Sequence, residues 1–425
     1  MRYLLYTLIV ITAACTSPDK QADDTPYLAQ IDALIVQKDF FKARDLLQKH
    51  KDQLETYDKT RLAAYVDNAF NRLEASNKAI EALFTTFKDQ LTDSLRADLL
   101  EIQSQNHIKL QNYEEAYQTS TLQLKEYAKY FTEELAALQN SSLIWKALIG
   151  QQKQKVVIPS RQAITLKKDK AGLNNLPVTY DKDPINFIFD TGANISTVNA
   201  STAAAMNMKM LDVTFDVNAI SGIKVQSGLA IAPKFSIASI EIENAVFLVF
   251  PDSALFFQPI DYQINGIIGY PIIAALKEIQ MTQSGQMIVP KSTSVHQSQN
   301  MAMMFLTPLV QLTSQRDTLV FTFDTGADAT TLYEDYFKKY REEIEANYTL
   351  AQMSMGGAGG KIKAEGYYIQ LPLTVGNKEV VLDSVQLLKE NLVERDHIYG
   401  NIGQDLITKF DTLVINLEEM FLLMK

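Results

Sequence analysis

Phe187-Ile-Phe-Asp190-Thr-Gly-Ala-Asn-Ile-Ser196 returns 134 residues later as Phe321-Thr-Phe-Asp324-Thr-Gly-Ala-Asp-Ala-Thr330. Each copy is an apolar, strand-like run that ends in Asp-Thr-Gly-Ala. An Asp followed closely by Gly at the end of such a strand reads as a turn that presents a carboxylate. Two near-identical words this far apart point to a duplicated unit. Later landmarks keep the same register. Asn265-Gly266-Ile-Ile-Gly269-Tyr-Pro-Ile-Ile matches Tyr399-Gly400-Asn-Ile-Gly403-Gln-Asp-Leu-Ile. The step from Asp to the first Gly of this word is 76 residues in both copies. The strand-like stretches at 279–290 and 413–424 are also offset by 134. Residues 153–425 therefore read as a tandem pair of β-rich halves, 153–290 and 301–425, joined by a polar linker at 291–300.

The region before these halves has a different period. Over residues 26–152 apolar side chains recur every three or four positions, as in Phe40, Ala43, Leu46 and Leu47, and glycine is absent until Gly150. That pattern predicts helices. Three phrases recur loosely: Asp39-Phe-Phe-Lys-Ala43, Ser76-Asn-Lys-Ala79 and Gln111-Asn-Tyr-Glu-Glu-Ala116. Their alanines are spaced 36 and 37 residues apart. They resemble degenerate tetratricopeptide-type hairpins, in which a small residue lets two helices approach closely. A plain helical bundle fits the pattern as well. A repeat of this kind would offer a groove for a protein partner.

The start of the chain reads as a targeting segment. Arg2, an apolar run and Thr12-Ala13-Ala14 precede Cys15, the only cysteine of the chain. The run is too short to span a bilayer comfortably. The pattern resembles a bacterial lipoprotein signal over residues 1–15, with Cys15 as the lipidated residue. Polar residues 16–25 would form a tether. Thr16 and Ser17 favour the outer membrane in the sorting pattern it resembles, and the body would face the periplasm or the surface. The membrane would be met through the lipid anchor only.

Composition narrows the chemistry. The 425 residues are 47% hydrophobic and 21% charged, with a net charge of −10, which fits a soluble globular body of two to three domains. The negative balance argues against nucleic acid as a partner. One cysteine and four scattered histidines leave no pattern for a metal site, and no cofactor motif is present. The carboxylates remain. Two carboxylates held a few ångströms apart cannot both ionise easily, so such a pair shares a proton. The ionised member can take a proton from water while the other donates to a carbonyl oxygen.

With these words in place, residues 155–425 resemble the retropepsin-like aspartic proteases. The resemblance rests on both Asp-Thr-Gly-Ala words, both Gly words, and Met353-Ser-Met-Gly356-Gly-Ala-Gly-Gly360-Lys-Ile-Lys363, which looks like the glycine-rich flap of retroviral members. It implies an all-β two-lobed protease domain after the helical domain, with a polypeptide as substrate. It implies that Asp190 and Asp324 are the catalytic pair. Thr191 and Thr325 would interlock beneath it, with Gly192, Ala193, Gly326 and Ala327 completing the loops. Gly356, Gly357, Gly359 and Gly360 would form one flap tip. In the first half the corresponding stretch is Ile220-Ser-Gly222-Ile-Lys224, whose single Gly222 implies a shorter or stiffer flap.

The chain also departs from the family pattern. Asn401 stands where the first half has Ile267. The Arg that accompanies the Gly word in retroviral members is missing, so Asp328 would lack that partner. Ala193 and Ala327 replace the hydroxyl residues of pepsin-like relatives, which donate to the carboxylates. Losing both donors implies activity at mildly acidic to near-neutral pH. Two arrangements stay open, pairing of the halves within one chain or between two chains. A non-catalytic binding protein that uses its helices as a scaffold is the competing reading.

Overall fold

A computed structural model describes residues 26–132, 134–218, 224–357, 360–391 and 397–425. The expectations at Cys15, Gly222 and Gly359 lie outside these residues. A helical region is followed by a β-rich region that carries several short helices. None of the described helices is long and apolar enough to cross a membrane.

The helical region opens with three hairpins. Helices α1 (Pro26–Val36) and α2 (Phe40–His50), α3 (Thr56–Ala69) and α4 (Leu73–Thr85), and α5 (Asp93–Lys109) and α6 (Tyr113–Glu126) pair in turn. Helix α7 (Leu135–Leu148) then packs on α6. Each hairpin turns on one residue with positive φ: Lys38 at 59°, Asn71 at 60° and Gln111 at 55°. The second helix starts just beyond it. Asp39 caps α2 by accepting from the Lys42 N–H at 3.1 Å.

These turns correct the alignment of the repeat. Five residues past each left-handed residue stand Ala43, Ser76 and Ala116, all fully buried. Ser76, not Ala79, is thus the equivalent of the two alanines. Its hydroxyl donates to the Ala64 carbonyl at 2.7 Å, a contact that only a small side chain permits. Ala79 is only partly buried and packs on the cluster around Ile80 and Leu83.

Each β lobe is built round its Asp-Thr-Gly strand. Ile185–Phe189 and Asp317–Phe323 bury Phe187, Phe189, Phe321 and Phe323 completely. Side chains of this size each contribute about 1.5–3 kcal/mol on burial. Beside each strand runs its Gly word, in parallel. Ile188 pairs with Ile267 and Phe189 with Ile268; Thr322 pairs with Asn401 and Phe323 with Ile402. Each lobe also carries a long antiparallel hairpin. In the first it is Lys209–Asn218 with Lys224–Ile237, and in the second Ala351–Gly357 with Gly360–Val375. The first arm of the first hairpin has ten residues and that of the second has seven, and the tip at Gly222 lies outside the described residues.

The lobes meet in a shared sheet. Glu278–Thr282 of the first pairs antiparallel with Thr412–Asn416 of the second, from Glu278 opposite Asn416 to Thr282 opposite Thr412. One apolar core runs through both lobes and includes Ile279, Met281, Leu413 and Ile415. The polar stretch 291–300 between the lobes is tied down at two points. Ser294 binds the buried Glu278 carboxylate through its N–H at 2.6 Å and its hydroxyl at 2.7 Å, and Asn300 bonds both ways with Leu422.

The helices reach both lobes. Ile31, Phe41, Leu62 and Val66 pack with Leu309, Val320, Met353 and Leu388 of the second lobe. Ala116, Ile144, Trp145 and Leu148 pack with Phe215, Leu229 and Ile231 of the first. Met353 and Phe215 belong to the two hairpins, so the helical region backs both of them. Asn140 of α7 adds a hydrogen bond to the Asp216 carbonyl at 2.9 Å.

Candidate active site

The two Asp-Thr-Gly loops face one another across a local twofold axis. The Thr191 N–H donates to Thr325 Oγ1 at 3.0 Å, and the Thr325 N–H donates to Thr191 Oγ1 at 3.0 Å. Each hydroxyl then donates beneath the opposite strand, Thr191 to the Phe323 carbonyl and Thr325 to the Phe189 carbonyl, both at 2.9 Å. Both threonines are buried, so these four bonds satisfy groups that water cannot reach.

Above this lattice sit the carboxyl groups. Asp190 and Asp324 are hydrogen-bonded to each other. Asp190 Oδ1 accepts from the N–H of Gly192 at 2.8 Å and of Ala193 at 3.1 Å. Asp324 Oδ1 accepts from the Gly326 N–H at 2.7 Å. Each glycine also lies against the opposite carboxyl. A Cβ on Gly192 would fall 2.7 Å from Asp324 Cγ, and one on Gly326 would overlap the Asp190 carboxyl. Glycine is required here by close approach rather than by φ.

The Gly words hold the loops from outside. The Tyr270 N–H donates to the Ala193 carbonyl at 2.8 Å, and the Gln404 N–H donates to the Ala327 carbonyl at 2.9 Å. Gly269 N donates to Ser196 Oγ at 3.0 Å and Gly403 N to Thr330 Oγ1 at 3.1 Å. The equal 76-residue step thus corresponds to one set of contacts built twice.

Electrostatics at the pair follow from its position. Burial raises Asp190 well above the usual carboxylate range, and the Asp324 charge and their shared hydrogen bond add to this. The N–H groups of Gly192 and Ala193 act in the opposite sense and do not overcome it. The pair therefore holds one proton between its two carboxyls.

Three residues escaped the sequence reading or were left without a role. Lys168 of the first lobe bonds Gln404 of the second, whose amide donates to the Thr325 carbonyl at 2.8 Å. Lys168 also lies in the field of Asp328. Asn401 had registered only as a departure from Ile267. Its Nδ2 donates to Asp324 Oδ2 at 3.1 Å. One of the two donors expected to be lost with Ala193 and Ala327 is thus supplied by a different element.

Among the flap glycines, Gly357 and Gly360 form the last described rung of their hairpin, and Gly356 pairs with Lys361. Among the described residues no group of three or more His, Cys, Asp or Glu is placed to hold a metal ion. A concavity of about 950 Å³ lies elsewhere, in the helical region, with Glu74, Lys78, Phe84 and His107 in its wall.

Compared with known proteins, residues 176–272 match a family described as aspartyl protease. The matched stretch holds Asp190, the first hairpin and the first Gly word. No curated protein matches the chain.

Proposed function

We propose that the chain is an aspartic endopeptidase whose single site is formed by Asp190 and Asp324 of one molecule. The observation that carries this reading is the hydrogen-bonded carboxyl pair on a lattice of four reciprocal threonine bonds. Such a lattice holds two carboxyls at contact distance while their backbones come from different lobes. The family match over residues 176–272 supports the same chemistry.

The protonated carboxyl polarises the scissile carbonyl, and its ionised partner draws a proton from the attacking water. Polypeptide substrate lies extended over the pair beneath the two hairpins and bonds through its main chain. The lobes pair in cis. The shared sheet and both threonine crossings are made within one chain, which favours this over pairing between molecules. Lipidation at Cys15 would anchor the enzyme in a bacterial envelope, on the outer membrane, with residues 16–25 as tether.

The test is cleavage of an unfolded protein by the wild type, Asp190→Asn and Asp324→Asn, with products read by mass spectrometry. Each variant is expected to lose about 10²–10⁴-fold in kcat/KM. Wild type that cuts nothing between pH 3 and 8 (a window of about five pH units spanning both carboxyl states) refutes the reading. So does either variant at full activity. The scaffold reading, in which the helices bind a partner without catalysis, takes over in the first case.

A further inference from the structure

The two carboxyl groups sit in nearly identical backbone, but the rung behind each differs. Behind Asp190 the parallel rung is Ile188 with Ile267; behind Asp324 it is Thr322 with Asn401. The exchange replaces two apolar side chains by a hydrogen-bonded polar pair. Thr322 Oγ1 donates to Asn401 Oδ1 at 2.6 Å, which turns the amide so that Nδ2 points at Asp324 Oδ2, 3.1 Å away. The Thr322 hydroxyl also lies 3.3 Å from the Gly400 carbonyl. Isoleucine at 267 has no group that could do the same for Asp190.

Resting on the protease reading, we propose that Asn401 is a positioning residue that breaks the symmetry of the pair, fixing Asp324 as the ionised carboxylate and Asp190 as the acid.

The argument concerns the oxygens one by one. Both oxygens of Asp324 accept an N–H, Oδ1 from Gly326 and Oδ2 from Asn401. A hydroxyl oxygen is a poor acceptor, so a proton on either would weaken a bond already made. Both N–H groups on Asp190 go to the same oxygen, Oδ1. Among the described residues Asp190 Oδ2 takes no N–H and is free to carry the proton. Asp324 is the titratable group that faces Asp190. Other charged groups on elements packed about the Asp324 loop are held in bonds of their own, Lys168 to Gln404 and Asp405 to Thr330, while Asp328 is exposed.

This assigns the steps. Asp324 takes a proton from water as the water oxygen bonds to the carbonyl carbon. The carbonyl π pair moves to its oxygen, which receives the Asp190 proton. The result is a neutral gem-diol, with Asp324 protonated and Asp190 ionised. In collapse, Asp324 gives its proton to the amide nitrogen as the C–N bond breaks, and a diol hydroxyl returns a proton to Asp190. The starting state is restored. The carbonyl oxygen must then lie on the Asp190 side, so a nearly symmetric cleft accepts substrate in one direction.

The test uses the full chain and two readouts. In Thr322→Ile/Asn401→Ile, which copies the first lobe's rung, the acid limb of the kcat/KM profile is expected to move up by about one pH unit, because a donor to the charged form is gone. Thr322→Val is a milder change that leaves the amide in place but unanchored; it should shift the limb the same way by less. Carbon-13 spectra of Asp-labelled protein, assigned with the Asp190→Asn and Asp324→Asn variants, should show Asp324 ionising first in the wild type. That order should be lost in the double-isoleucine variant.

An unshifted acid limb in both variants, or Asp190 ionising first in the wild type, overturns the proposal. Wild type that fails to cleave at all refutes the protease reading instead, and the carbon-13 order still decides the role of Asn401. If the double variant does not fold, Thr322→Val and the wild-type spectra carry the decision.

Discussion

Replacing Thr191 by Val tests the lattice beneath the carboxyl pair. Valine has nearly the shape of threonine, so the change removes hydrogen bonds and little else. Two are lost, the donation from Thr191 Oγ1 to the Phe323 carbonyl and the donation from the Thr325 N–H to Thr191 Oγ1. Both backbone groups left behind stay buried beneath Thr325, which is fully inaccessible. Each buried group left unpaired costs about 1–3 kcal/mol, so the variant should lose about 2–6 kcal/mol of stability. Thr191→Ser keeps the hydroxyl and loses one methyl, for about 1 kcal/mol. Denaturant unfolding followed by circular dichroism measures both, with cleavage assayed beside it. Activity of Thr191→Val should fall by about 10²-fold, since the carboxyls lose their fixed separation. The twofold axis adds a second constraint. Thr325→Val orphans the Phe189 carbonyl and the Thr191 N–H, so its loss should equal that of Thr191→Val. The reasoning fails if Thr191→Val unfolds within about 0.5 kcal/mol of the wild type, the range of an ordinary surface substitution, and cleaves normally.

Two further outcomes follow from single contacts. Gly192→Ala would place a methyl 2.7 Å from Asp324 Cγ, so the pair must part; cleavage should drop by about tenfold or more while the unfolding midpoint barely moves, and unchanged kinetics would show that the loops do not meet as described. Glu278, in the strand where the lobes join, is buried, which raises it, but donors from Ser294, Gln280 and Asn416 outweigh this and hold it below the usual glutamate value. A folded value below the unfolded one gives stability that is complete above the unfolded value and lost as pH falls through the folded one. Glu278→Gln should therefore cost about 2 kcal/mol near neutral pH and progressively less toward acid, read from urea unfolding at several pH values. A difference that does not depend on pH would refute this.

What the sequence showed and what it hid differ in kind. The Asp-Thr-Gly words, the Gly words and their common spacing are local patterns, and local patterns survive in a linear string. The threonine crossings could be expected because each is repeated by symmetry. Asn401 was visible as an odd residue, but its meaning lies in a rung that joins it to Thr322, 79 positions away. Lys168 could not have been chosen at all, since it lies in no motif and its partner Gln404 is 236 positions distant. In the helices, periodicity found the elements but aligned Ala79 with Ala43. The true marker, a left-handed residue at Lys38, Asn71 and Gln111, has no fixed residue type and so leaves no letter to match. Periodicity also shows that a helix has an apolar face without showing what covers it. Here Phe41 and Trp145 cover opposite lobes.

The duplicated layout has a chemical consequence that the position of Asn401 brings out. When two identical subunits build such a site, every residue enters twice, related by the axis between them. An asparagine beside one carboxyl would bring an asparagine beside the other, and the pair would stay equivalent. Joining the lobes in one chain removes that constraint. The backbone contacts that hold the carboxyls can remain twofold, as the threonine and glycine bonds do. Side chains one layer behind are free to differ, as Ile267 and Asn401 do, and Tyr270 and Gln404. Asymmetry can thus enter through a layer that biases a proton without moving the carboxyls. A site that must hold one proton between two acids gains from such a bias, because half of the symmetric arrangements would present the wrong oxygen to a substrate bound in a given direction.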